Sequence, residues 1–430
     1  MALLTIVLVL IFLLLLGSPV IFSIAIAGIS YFFVKPGMMD MVAIMPHRFF
    51  EGMNSFVFLC IPLFVLTGEM MNKSGMMLDL VKFVQIFVGR LRGGMAYVNI
   101  FASMLFGGIT GSALADVSAL GPLEIKAMKE DGYPVAFAAA LTATSSVQGP
   151  IIPPSIPMVI YASLTNASVG ALFLGGIIPG IMIGLGQSLV VFLIAKKRNF
   201  PKHEMRMTLR EKLAVVRVAS LALFMPIIIL GGILLGIFTP TEAAAVAAVY
   251  AAIISVLYYR SVKFTDVRDI LLNTGKTTAS IYLIVAFATI VSWEMASEHL
   301  PQLVNSFVRD NNLSVVTLLF LINIFLLFNG CWLSDIAQLI LFAPIFMPIL
   351  ESMGIHPVHF GVVMVVNVML GLITPPYGCA LFLAAILSGS KLKDIVIETL
   401  PFTAVSVTVL FVVTYFPGLV LWIPKMAGLI

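Results

Sequence analysis

Apolar runs of about twenty residues, each long enough to cross roughly 30 Å of hydrocarbon, recur from one end of the chain to the other with short polar stretches between them. They predict spanning helices over 55–71, 94–106, 171–195, 213–238, 241–259, 278–293, 313–328 and 402–421. The first run, 3–33, has no basic head and is too long for a cleavable signal, so it reads as one more spanning helix, bent near Gly17, Ser18 and Pro19. Basic residues gather in two loops, "KKRNFPKHEMRMTLREK" at 196–212 and "RSVKFTDVR" at 260–268. Lys and Arg favour the cytoplasmic side, so two crossings must separate these loops, with "FTPTE" at 238–242 as the tight external turn. A mixed-polarity stretch at 38–53, "MMDMVAIMPHRFFEGM", reads either as a helix along the membrane surface or as an ordinary loop.

The pattern of polar and helix-breaking positions repeats. "GPIIPPS" at 149–155 returns as "GLITPPY" at 371–377, a displacement of 222 residues. With that displacement kept, Gly108 falls on Gly330, Ser112 on Ser334, Asp116 on Gln338, and Pro122 on Pro344. Each half therefore holds a hairpin-like segment of small and polar residues (about 107–130 and 330–353) followed by a helix interrupted at Pro-Pro (about 134–165 and 357–388). This divides the chain into a first repeat at 1–195, a basic loop and connecting helix at 196–240, and a second repeat at 241–430. A period this long suggests two related halves around one central site rather than a solenoid.

A proline inside a helix donates no hydrogen bond and pushes away the preceding turn, so Pro153, Pro154, Pro375 and Pro376 leave nearby carbonyls without helical partners. At membrane depth such groups are tolerated only where they line a protein-enclosed or watery cavity, and there they suit a hard cation. The helix that restarts after each break turns its positive end to the same cavity, which suits a carboxylate. The alternative is a packing kink satisfied by neighbouring hydroxyls, for example Ser155 or Thr374.

Composition agrees with the pattern: 61% of residues are hydrophobic and 10% charged, with mean hydropathy +1.13. The fold class is all-α and polytopic. A net charge of +4, concentrated in loops, is a topology signal and no argument for nucleic acid. Cys60, Cys331 and Cys379 lie in apolar segments at no metal-ligand spacing. Acidic residues inside the spans carry more meaning, because an aspartate at mid-membrane costs about 3 kcal/mol on insertion scales. Asp116 and Asp335 stand out as substrate contacts, with Ser112 and Ser334 beside them; the plainer reading makes the aspartates helix caps at a wet hairpin end. Glu294, Glu298 and His299 sit where a helix leaves the membrane near Pro301, and an interfacial role is expected for them.

Enzyme motifs fail on spacing. "TGKTT" at 274–278 resembles the end of a phosphate loop, but Ile270 stands where the earlier glycine is required. There is no H-E-x-x-H and no G-x-S-x-G. An intramembrane aspartyl protease built on Asp116 and Asp335 stays as a weak competitor.

The segments "GPIIPPS", "GLITPPY", "GGITGSALADVSALG" at 107–121 and "GIFTPTEAAAVAAVYA" at 236–251 together resemble the large membrane subunit of TRAP transporters, the tripartite ATP-independent periplasmic carriers of bacteria, over essentially the whole chain. The resemblance implies a multi-pass inner-membrane protein that is not an enzyme but a sodium-coupled importer of a small organic acid, such as a sialic acid or four-carbon dicarboxylate. It implies inverted halves, each giving a re-entrant hairpin and a broken helix to an elevator-type transport domain that moves against a scaffold. It implies Na+ as coupling ion and no further cofactor, with two separate partners: a small four-helix membrane subunit and a periplasmic binding protein. Sodium sites would fall, mostly through backbone, on Gly108, Ser146, Gly149 and Ile152, and on Gly330, Gly371, Thr374 and Tyr377; substrate contacts would fall near Ser112, Asp116 and Asp335. A stand-alone anion/sodium symporter or proton-coupled antiporter is the alternative within the same class.

Overall fold

The computed structural model describes residues 2–202, 207–376 and 378–430, so residues 203–206 of the first basic loop fall outside the description. The first apolar run corrects the expectation of one bent crossing. It forms two helices, α1 (Ala2–Leu15) and α2 (Val20–Val34), folded back on each other around Gly17, whose φ of +79° suits a residue without a side chain. With 14 and 15 residues, each rises only about 22 Å, too short to cross alone. After α3 (Ile44–Met53) come α4 (Cys60–Ser74) and α5 (Met76–Val88). The stretch at 38–53 is thus largely helical, and α3 lies on the later long helix through Phe49 and Phe287, whose rings are 5.1 Å apart.

The first hairpin segment is α6 (Gly94–Thr110) followed by α7 (Ala113–Glu130), and the first broken helix is α8 (Val135–Ser146) and α9 (Ile156–Thr165). Then come α10 (Val169–Lys197), α11 (Leu209–Leu234), α12 (Pro240–Ile253) and the 34-residue α13 (Phe264–Ser297). Thr208 and Thr239 start α11 and α12 with capping boxes to Glu211 and Glu242, which explains the turn at "FTPTE". "TGKTT" lies inside α13 and is not a phosphate loop. The same order returns in α14 (Leu300–Asp310), α15 (Val315–Gly330), α16 (Asp335–Ser352), α17 (Pro357–Gly371) and α18 (Cys379–Ser388). The last expected span is shifted: α19 (Leu392–Tyr415) ends before Pro417, and α20 (Gly418–Met426) is a separate short helix.

Seven helices are long and apolar enough to cross a membrane among the described residues. Two shorter ones behave differently. Residues 137–146 of α8 and 358–371 of α17 are buried on every side, so both helices that lead into the Pro-Pro breaks are jacketed by protein. The helices that follow the breaks cross over: α9 packs on α16 and α17, whereas α18 packs on α7 and α8. Around this interleaved body stands a wall in which α13 contacts α2, α3, α4 and α16, and α4 contacts α12. Lys35 and Glu298 tie the ends of α2 and α13 through an ion pair at 2.5 Å, which raises the lysine's pKa and lowers the glutamate's.

Candidate functional site

Each break is built on a crossing of two glycines. A Cβ placed on Gly149 would lie 2.6 Å from the Cα of Gly107, and one on Gly330 would lie 2.7 Å from the Cα of Gly371, so only hydrogen permits the two backbones to meet. Gly108 faces the first break, where its Cβ would be 3.2 Å from the Pro153 carbonyl oxygen and 3.3 Å from Ile152. The Pro153-Pro154 and Pro375-Pro376 bonds are both cis.

The carbonyls divide into two groups. The Ser155 hydroxyl donates to the Pro150 carbonyl, and the Thr374 hydroxyl donates to the Leu370 carbonyl at 2.7 Å, as the packing-kink reading anticipates. The carbonyls of Ile152 and Pro153 accept no hydrogen bond from any described residue. Ser146 gives its hydroxyl to the Ala143 carbonyl at 2.9 Å. Tyr377, expected at the second break, lies outside the described residues.

A cavity of about 470 Å³ opens between the interleaved body and the helices α4 and α13. From the body it is lined by Thr110, Ser112, Ser118 and Ile156 of the first half and by Asp335 and Leu372 of the second. The structure thus brings parts of both halves to one place. Ser112 and Ser334 are the N-caps of α7 and α16, accepting from the Ala115 and Ala337 amides at 3.4 and 3.3 Å, and Ser155 caps α9 in the same way at 3.2 Å. Ser112 lines the cavity as well; Ser334 does not.

Asp116 is placed differently from its sequence reading. It is 1% exposed, does not line the cavity, and neither carboxylate oxygen has a hydrogen-bond partner among the described residues. Ser112 has extended backbone as the cap of α7, φ −139° and ψ 123°. The surroundings of Asp116 are a buried polar chain in which the Asn99 amide donates to Glu124 and Thr142, both at 2.7 Å, and Ser145 donates to Asn99 at 2.8 Å. Gln338, which matches Asp116 at the 222-residue displacement, is also fully buried, with no side-chain partner among the described residues. An Asp116–Asp335 protease dyad therefore has no shared chamber.

Glu294 corrects a second expectation. It is fully buried on α13 beside Gly28 of α2, and both its oxygens are unpaired among the described residues, so it is no interfacial group. Sequence reasoning also missed the wall opposite Asp335, where Glu69 and Asn72 of α4 and Thr277 and Ser280 of α13 line the cavity. An acid inside an apolar run was the available signal for Glu69, the same one that singled out Asp335.

Residues 7–419 match the family described as "Tripartite ATP-independent periplasmic transporter, DctM component". The chain is 39% identical over 390 residues to the C4-dicarboxylate TRAP transporter large permease protein DctM of Pseudomonas aeruginosa, covering 91% of each. It is 38% identical over 413 residues to the sialic acid TRAP transporter large permease protein SiaM of Vibrio cholerae, covering 95% of each. An isethionate TRAP transporter permease, DctMQ of Oleidesulfovibrio alaskensis, is 36% identical over 86% of this chain and 58% of its own. Among solved structures, the YdaH transporter of Alcanivorax borkumensis superposes with a TM-score of 0.64 at 16% identity, covering 90% of each chain, a likeness of fold alone.

Proposed function

Because the chain belongs to the DctM family, the large permease subunits of TRAP transporters, we propose that it imports a small organic acid in symport with sodium across the inner membrane. Membership makes it a multi-pass transporter subunit and not an enzyme. The observation that carries the finer reading is the cavity itself: helix starts from both halves meet there, capped by Ser112 and Ser155 in the first and beginning with Asp335 in the second. Helix N-termini favour a carboxylate. The unpartnered carbonyls of Ile152 and Pro153, close to Gly108, suit a sodium ion, and the matching crossing of Gly330 and Gly371 suits a second. Cations held at the glycine crossings complete the anion site between them, and the interleaved body then moves past the wall of α4, α12 and α13 as an elevator.

The partners are a small membrane subunit and a periplasmic binding protein. The name DctMQ of the isethionate relative, of which this chain matches 58%, fits a large subunit that works joined to a second membrane component. Reconstitution with both partners in proteoliposomes is expected to give uptake of a labelled organic acid when sodium is high outside, and none when choline replaces sodium. Equal uptake in choline would remove sodium from the mechanism. Uptake that needs no binding protein would favour the stand-alone symporter.

A narrower expectation concerns Thr374. Its hydroxyl donates to the Leu370 carbonyl at 2.7 Å, and the ligand proposed here is the Thr374 carbonyl. Thr374→Val should therefore shift the sodium concentration for half-maximal uptake by less than about threefold. A larger shift would show that the hydroxyl is a ligand.

A further inference from the structure

The charges around the cavity are unbalanced. Two carboxylates line it, Glu69 from α4 and Asp335 from α16, and no lysine, arginine or histidine does so among the described residues. Glu69 is half-buried and forms no hydrogen bond or ion pair with any described residue; Lys73, one turn further on, is paired instead with Asp266 at 3.1 Å.

Resting on the organic-acid reading above, we propose that Glu69 and Asp335 make this a site for monoanions rich in hydroxyl groups, the sugar acids, and set it against dicarboxylates. One carboxylate of a solute is accommodated at the helix starts of α7 and α9, where backbone N–H groups and the local dipole favour negative charge. The rest of the solute meets the two acids. A carboxylate side chain only accepts, so its proper counterpart is an O–H or N–H donor. A polyol chain supplies several such donors, and Asn72, Thr277 and Ser280 add donors and acceptors for its remaining oxygens. A second carboxylate on the solute would instead face Glu69 or Asp335 in a partly dehydrated space with no basic side chain to answer it, which is rejection by a repulsive element. Glu69 stands on the wall and Asp335 on the body, so the selection operates where the two surfaces meet.

The test measures binding by the membrane protein itself, so that a periplasmic partner's own preference cannot mask the result. The chain with its small membrane subunit, in nanodiscs with sodium, is titrated with gluconate, sialic acid and succinate while its melting temperature is followed. Native protein is expected to be half-saturated by one or both sugar acids at concentrations at least about tenfold lower than by succinate. Glu69→Gln should bring that ratio below about threefold by improving succinate, whereas Glu69→Asp, which keeps the charge, should preserve the preference. Succinate binding as tightly as the sugar acids to native protein would overturn the inference without any variant, as would an unchanged ratio in Glu69→Gln. Those outcomes leave organic-acid binding standing. Stabilisation by none of the three would overturn that underlying reading, and this one with it.

Discussion

Asp335→Asn is expected to lower uptake about a hundredfold or more while the protein still inserts, assembles and elutes as the native complex does. Asparagine has nearly the same shape, and the cap of α16 is supplied by the Ser334 hydroxyl, so the fold loses nothing at this position. What disappears is a charged acceptor on the cavity wall, in a place shielded from bulk water. Removing one partner of such a contact costs about 3 kcal/mol, or roughly a hundredfold in affinity. Sodium-driven uptake in proteoliposomes, normalised to inserted protein, reads the effect. A native rate in the variant would take Asp335 out of the solute's path.

Gly371→Ala should cost both activity and stability. The added Cβ would lie 2.7 Å from the Cα of Gly330 and 3.1 Å from its carbonyl oxygen. Backbone atoms cannot rotate out of the way as a side-chain end can, so α15 and α17 must separate. Overpacking of this kind costs about 1–3 kcal/mol, and here it also displaces a proposed cation site. The melting temperature should fall by several degrees and uptake should be lost even in saturating sodium. Gly275→Ala in α13 is the matched control, since a Cβ there meets nothing within 4 Å. Alanine also suits a helix better than glycine by about 1 kcal/mol. Equal damage from both changes would mean that the crossing has no special role.

Much of this was legible in the sequence because the informative residues are those that lipid and helix geometry punish. Pro153, Pro154, Pro375 and Pro376 mark the breaks, and Gly149 and Gly371 are matched repeat positions beside them; their close contacts with Gly107 and Gly330 appear only in the structure. Asp335 was found by the cost of burying a charge. The misreadings share a different cause: each depended on which way a segment turns. Gly17 and Pro19 could mark a bend or a reversal, and only packing of α1 on α2 decides for reversal. Asp116 stands out by the cost of a charge in an apolar run, a signal that does not say whether the buried acid faces the cavity or the protein interior. Glu294 was judged by its nearness to a proline, yet α13 continues to Ser297 and buries the carboxyl against α2. Glu69 lies near the end of the expected 55–71 span, with Asn72, Lys73 and Ser74 following, and the sequence reading does not single it out.

The exchange of α9 and α18 between the halves makes the molecule a braid. A braid cannot tighten one strand alone. On the proposed function, an ion bound at the first break would act on α9 and, through its packing, on α16 and α17 of the other half. The two proposed cation sites would then be linked by the chain's own path, within a single polypeptide.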